Sequence, residues 1–176
     1  EVTGFPDDLY MGGSNFGAWN TANIVQMAPV GAVGNGEFWR LCYLQAGQTV
    51  EWAMAKDGSQ AFSSLQTMQG VTVNSDGKAT VNTSGLYLVY VNLDRKLIAF
   101  ETPKVYASGT ALGDNEQPVT VNGENLSVET TETGKLNLFA TSNNNARNWT
   151  TMQFSIRNGK IVYPGTSVDN MPALPV

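Results

Sequence analysis

Leu9-Tyr10-Met11-Gly12-Gly13-Ser14 is answered, far along the chain, by Val105-Tyr106-Ala107-Ser108-Gly109-Thr110. Each reads as a short strand that runs into a Gly/Ser or Gly/Thr turn. A second phrase also recurs: Arg95-Lys96-Leu97-Ile98-Ala99-Phe100 returns as Gly159-Lys160-Ile161-Val162-Tyr163, each time as a closing hairpin strand. Opening and closing strands repeated in the same order describe two β-modules in tandem. The openings lie further apart than the closings, so the second module is the shorter. Pro103 separates the modules, which span 1–102 and 103–176. A module as short as the second buries only a modest core.

Between these landmarks the pattern is β throughout. Ile24 to Met27 reads as a strand, and Gly34-Asn35-Gly36 leads into another from Glu37 to Leu44. Ala46-Gly47 then turns the chain back along Thr49 to Met54. Val71-Thr72-Val73 and Lys78 to Val81 flank Asn74-Ser75-Asp76-Gly77, where Asp-Gly suits the positive φ of a tight turn. Gly85 to Leu93 alternates and turns at Asp94-Arg95. The second module adds strands at Val119-Thr120-Val121, Leu126-Ser127-Val128, Lys135 to Ala140 and Met152 to Ile156, and ends in a Pro-broken tail from Met171. The nearest approach to a helix is a polar turn at Phe62 to Gln66. Short strands at this spacing predict an all-β chain of two antiparallel β-sandwiches.

Composition narrows the function. Only 14% of the 176 residues are charged, and Asn, Thr, Gly and Ser fill the polar positions instead. That balance suits an extracellular β-protein. A net charge of −5 offers no footprint for nucleic acid, and no basic amphipathic stretch suggests docking on anionic lipid. No apolar run is long enough to span a membrane. There is no histidine, hence no imidazole base or metal ligand. Cys42 is alone, which rules out an intrachain disulfide or a thiolate zinc cluster, and it reads as a small buried side chain. No nucleophile elbow, phosphate loop or dinucleotide fingerprint is present. A glycosidase needs two carboxylates roughly 5–10 Å apart across a cleft, and short sandwiches rarely form one. No catalytic residue, metal or cofactor is therefore expected, and the chain is not read as an enzyme.

The motifs resemble a family. Leu9-Tyr10-Met11-Gly12-Gly13 through Gly17-Ala18-Trp19-Asn20 is similar to the opening of the starch-binding modules in SusE/SusF-type surface lipoproteins of Bacteroidetes. Phe38-Trp39 through Ala46-Gly47 and Val50-Glu51-Trp52 resemble their central pair of strands. Phe154 through Gly159-Lys160-Ile161-Val162-Tyr163 to Gly165-Thr166 resembles their C-terminal end. Gly13-Ser14 stands where the family commonly has Gly-Asp, and Trp52 where it has Phe. The second module has Gly113-Asp114-Asn115 in place of a Trp after its opening. The resemblance implies tandem immunoglobulin-like β-sandwich modules that bind polysaccharide or oligosaccharide without catalysis. It also implies anchorage at the outer-membrane surface through a lipidated Cys upstream of residue 1, beside other glycan-uptake proteins.

A neutral sugar needs an apolar platform for its C–H face and a few directed donors and acceptors for its hydroxyls. Trp19 ends a Gly-rich loop and reads as platform or as loop anchor. Phe38 and Trp39 are adjacent on a strand and point to opposite faces, so Trp39 is expected to be partly outward and is a second candidate platform. Trp52 alternates with Val50 and Met54 and reads as core. Arg40 and Lys56 are candidate hydroxyl donors, or ordinary solvated side chains. In the second module Asn145, Arg147 and Trp149 combine donors with a platform, unless Trp149 plugs the end of the sandwich. The alternative function is a spacer or adhesion module with no glycan site of its own.

Overall fold

The structure, a computed structural model, describes residues 4–17, 19, 25–59, 67–69, 71–74, 78–146, 148, 150–163 and 174–175. The expected turn at Phe62 to Gln66 and the Asp76-Gly77 corner lie outside them. The fold is all-β, and the chain divides into two compact units, Glu1–Thr102 and Pro103–Val176.

The first unit is a sandwich of two five-stranded sheets. One sheet runs β2 (Val25–Gln26), β1 (Tyr10–Gly12), β5 (Thr49–Ala53), β8 (Ala79–Thr80), β7 (Thr72–Val73). The other runs β3 (Ala28–Pro29), β4 (Glu37–Leu44), β9 (Gly85–Asn92), β10 (Leu97–Glu101), β6 (Thr67–Gln69). Strand alternation sends Met11, Val50 and Trp52 inward from the first sheet, with Leu9 just ahead of β1. They meet Phe38, Leu44, Val89, Val91, Ile98 and Phe100 from the second. Trp52 stands edge-on to Phe100 at 5.6 Å between ring centroids, a favoured aromatic geometry.

Three details depart from the sequence reading. The segment expected as one strand from Ile24 changes sheets at Met27, so β2 pairs with β1 while β3 pairs with β4. Strand β6 lies parallel to β10. Parallel pairing is open to it because the chain passes through β7, β8 and β9 before returning as β10, so no tight hairpin joins the pair. Third, Trp39, Leu41, Leu88, Tyr90 and Ala99, on the face of the second sheet away from this core, are also buried.

The second unit orders β12 (Gln117–Pro118), β11 (Lys104–Ser108), β15 (Lys135–Thr141), β16 (Gln153–Arg157) and β17 (Lys160–Val162) in one sheet, with a separate hairpin of β13 (Thr120–Asn122) and β14 (Asn125–Ser127). Val105, Ala107, Leu112, Leu138, Met152 and Phe154 are buried. An apolar cavity of about 70 Å³ remains among Val119, Leu126, Leu136, Leu138 and Ile156. The Pro-broken tail is not wholly irregular, because β18 (Leu174–Pro175) pairs with Lys135 and Leu136.

The repeated opening phrase builds the same device in both units. Gly13 (φ 106°) and Gly109 (φ 123°) each lead into a single 3-10 turn, Ser14–Phe16 or Thr110–Leu112, closed by a left-handed Gly17 or Gly113. A methyl on Gly13 would fall 2.5 Å from the Thr49 carbonyl oxygen, and one on Gly109 would strike the Lys135 carbonyl. The next hydroxyl then ties the turn to the neighbouring strand: Thr49 N–H donates to Ser14 Oγ at 2.8 Å, and Lys135 N–H to Thr110 Oγ1 at 2.9 Å.

Candidate functional site

Because Leu9 and Met11 point into the core, Tyr10 and Gly12 face outward from β1. Across the ladder Tyr10 sits opposite Ala53 and Gly12 opposite Glu51. Gly12 and Ala53 thus leave a patch of this outer face almost without side-chain bulk. Trp19 lies against it. A methyl on Gly12 would fall 2.6 Å from the Trp19 ring carbon Cε2, and one on Gly58 2.8 Å from its Cγ. The indole is therefore packed directly on backbone, against strand β1 and the turn that follows β5, and remains partly exposed.

That turn also delivers Lys56. Gly58 N–H donates to the Ala55 carbonyl at 3.1 Å, and Lys56 Nζ stands 6.0 Å from the centre of the Tyr10 ring, at the outer limit of a cation–π contact. The Ser59 hydroxyl and amide both donate to Asp57 Oδ1 and hold that carboxyl below its usual range. Burial, and then the charge of Asp8, push the Tyr10 hydroxyl above its ordinary pKa, so it stays a neutral donor. Asp8 in turn accepts from Gln26 Nε2 at 2.9 Å. One outer face thus gathers an aromatic ring, an ammonium and several hydroxyl and carboxylate groups, the chemistry a sugar ring requires.

Of the sequence candidates, Trp19 and Lys56 come together on this face. Trp39 does not, and cannot serve as a platform: it is fully buried, as is its neighbour Phe38 on the opposite face, so both faces of β4 are covered at this point. Arg40 spans the two sheets, Nη1 donating to the Gln26 carbonyl at 2.8 Å beside the point where the chain crosses over. Asn145 is partly buried in the loop after β15, its amide donating to the Ser142 carbonyl at 3.4 Å. Its expected partners Arg147 and Trp149 lie outside the described residues. Cys42 packs against the core, and burial pushes its thiol up to about 12, so it is no nucleophile.

The sequence reading did not assign Tyr10, Gly12, Ala53 and Gly58 to the site. A signal was available in Gly12-Gly13, where only Gly13 has a positive φ and Gly12 needs another reason to lack a side chain.

No family model matches the chain, and no curated protein matches it. Among solved structures, the chain is similar to the crystal structure of SusF from Bacteroides thetaiotaomicron, with a TM-score of 0.78 over 97% of this chain. This chain has a SusF-like fold. The sequences are 24% identical, a likeness of fold, and the chain spans 43% of the SusF chain's length. Among the described residues no helix is long and apolar enough to cross a membrane.

Proposed function

We propose that this chain is a non-catalytic polysaccharide-binding part of a cell-surface protein, with its sugar platform at Trp19 in the first unit. The observation that carries this reading is the partly exposed indole held on bare backbone at Gly12 and Gly58, with Lys56 brought to the same face by Tyr10. Stacking on the ring supplies affinity, and Lys56 with the nearby hydroxyls supplies direction. The likeness of the sequence motifs to SusE/SusF-type modules and the SusF-like fold support starch or a related glycan as ligand, and capture for outer-membrane uptake as purpose. On the same reading the protein sits at the outer-membrane surface on a lipid anchor ahead of Glu1, close to other glycan-uptake proteins. A single platform of this size binds weakly, and retention comes from several modules on one surface.

Affinity electrophoresis through gels containing starch or other polysaccharides tests this. Wild type is expected to be retarded by at least one glycan, Trp19→Ala to lose most of that retardation, and Lys56→Ala to lose part. A second reading, a spacer module without a glycan site, is favoured by the burial of Trp39 and Trp52, neither of which is open to a sugar. It prevails if wild type runs unretarded on every polysaccharide.

A further inference from the structure

The two units differ at one spot on an otherwise matching device. In the second unit the residue opposite Tyr106 is Phe139, and the two rings stack 5.5 Å apart at 25°. In the first unit the residue opposite Tyr10 is Ala53. Two residues further along β1 and β11, Gly12 corresponds to Ser108. The second unit thus fills this part of its outer face from within the sheet, whereas the first has only Ala53 there and lays Trp19 against the neighbouring Gly12.

Several observations say the emptiness serves the ring. The three atoms nearest to a methyl on Gly12 are all carbons of Trp19, and the same holds for Gly58. Gly13, by contrast, is crowded by backbone. Gly12 has no positive φ, so nothing in its own conformation demands glycine. We propose that Gly12, Ala53 and Gly58 are positioning residues that form a seat for Trp19, and that this seat gives the first unit a sugar platform, whereas the Tyr106–Phe139 pair fills the matching position of the second. The link to sugar rests on the reading of Trp19 as the platform; the seat itself rests on geometry alone.

Gly12→Ala is the direct probe, since an added methyl meets the indole at less than van der Waals distance while the strand backbone accepts it. The emission of Trp19 is isolated from the other tryptophans by subtracting a Trp19→Phe spectrum. Gly12→Ala is expected to shift that emission to the red, to raise its quenching by acrylamide, and to reduce glycan retardation to the level of Trp19→Ala. Any loss of stability in Gly12→Ala should vanish when the same change is made in a Trp19→Ala background. Ala53→Leu, which fills the seat from β5, is expected to act the same way and covers the case in which Gly12→Ala folds poorly. An unchanged Trp19 emission in both variants, or a stability loss that persists without the Trp19 ring, overturns the seat. If wild type binds no glycan while Gly12→Ala still shifts the Trp19 emission, the platform reading falls and the seat stands.

Discussion

The Ser14 and Thr110 turns are built alike, yet the sheet faces beside them are not. Both units place a glycine where a side chain would strike a carbonyl on the neighbouring strand, then a hydroxyl that captures that strand's first amide. These contacts set how the opening strand leaves its sheet, and the fold needs them in each unit. On the outer face the second unit invests a large aromatic pair in its own packing, while the first has only Ala53 opposite Tyr10 and keeps Gly12 bare beneath a partly exposed Trp19. Matching positions reflect the sandwich, and the differing ones set what each surface presents.

That comparison breaks most severely at the shared glycines. Gly13→Ala and Gly109→Ala each force a methyl into a carbonyl at a positive φ, and each is expected to destabilise by about 3 kcal/mol or more, read as the shift of the urea unfolding midpoint. If only one of the pair is costly, the two turns are alike in shape but not in role. Phe139→Ala comes next. It removes a buried ring and its stack with Tyr106, and should cost roughly 3–5 kcal/mol, as expected of a core phenylalanine. Thermal melting checks it, and a cost near zero would mean that the second unit's outer face is not packed by this pair.

The smallest effect separates the units by pH. In the first unit the buried Tyr90 donates to Glu37 Oε1 at 2.5 Å, and Asn92 Nδ2 donates to the Tyr90 hydroxyl at 3.0 Å. Burial, and then the Glu37 carboxylate that accepts its proton, hold the Tyr90 hydroxyl above its ordinary pKa. The folded state therefore keeps a proton that the unfolded chain releases at lower pH. Stability from this group is complete below about pH 10 and is lost as pH rises towards the folded value. Tyr90→Phe is expected to cost about 1 kcal/mol at neutral pH and to flatten the alkaline decline. Urea midpoints measured across that range test it, and an alkaline limb unchanged in Tyr90→Phe would assign the decline elsewhere.

Much of the fold was legible because it rests on local chemistry. Glu37 to Leu44 forms a strand over the stretch that its alternation and its Gly-Asn-Gly entrance indicate. Trp52 is buried where its alternation with Val50 put it, at 2% exposure. The weaker readings concern two-residue strands. Gln117–Pro118 and Leu174–Pro175 are too short for a period to appear, and the split at Met27 depends on which sheet receives each half. Of the candidate site, Trp19 was readable as an aromatic at the end of a Gly-rich loop and Lys56 as a cation on the loop after the strand that carries Trp52. Trp39 was misread because alternation tells which side chains share a face, not whether that face is covered.

By itself the sequence determined the two-module order, the β class and the turns, since glycines, hydroxyls and period-two alternation act over a few neighbouring residues. Only the tertiary structure decided which aromatic reaches the surface. Burial depends on what packs over a sheet, and the seat of Trp19 joins Gly12 to Gly58 across two strands, a distance in sequence that no local pattern spans.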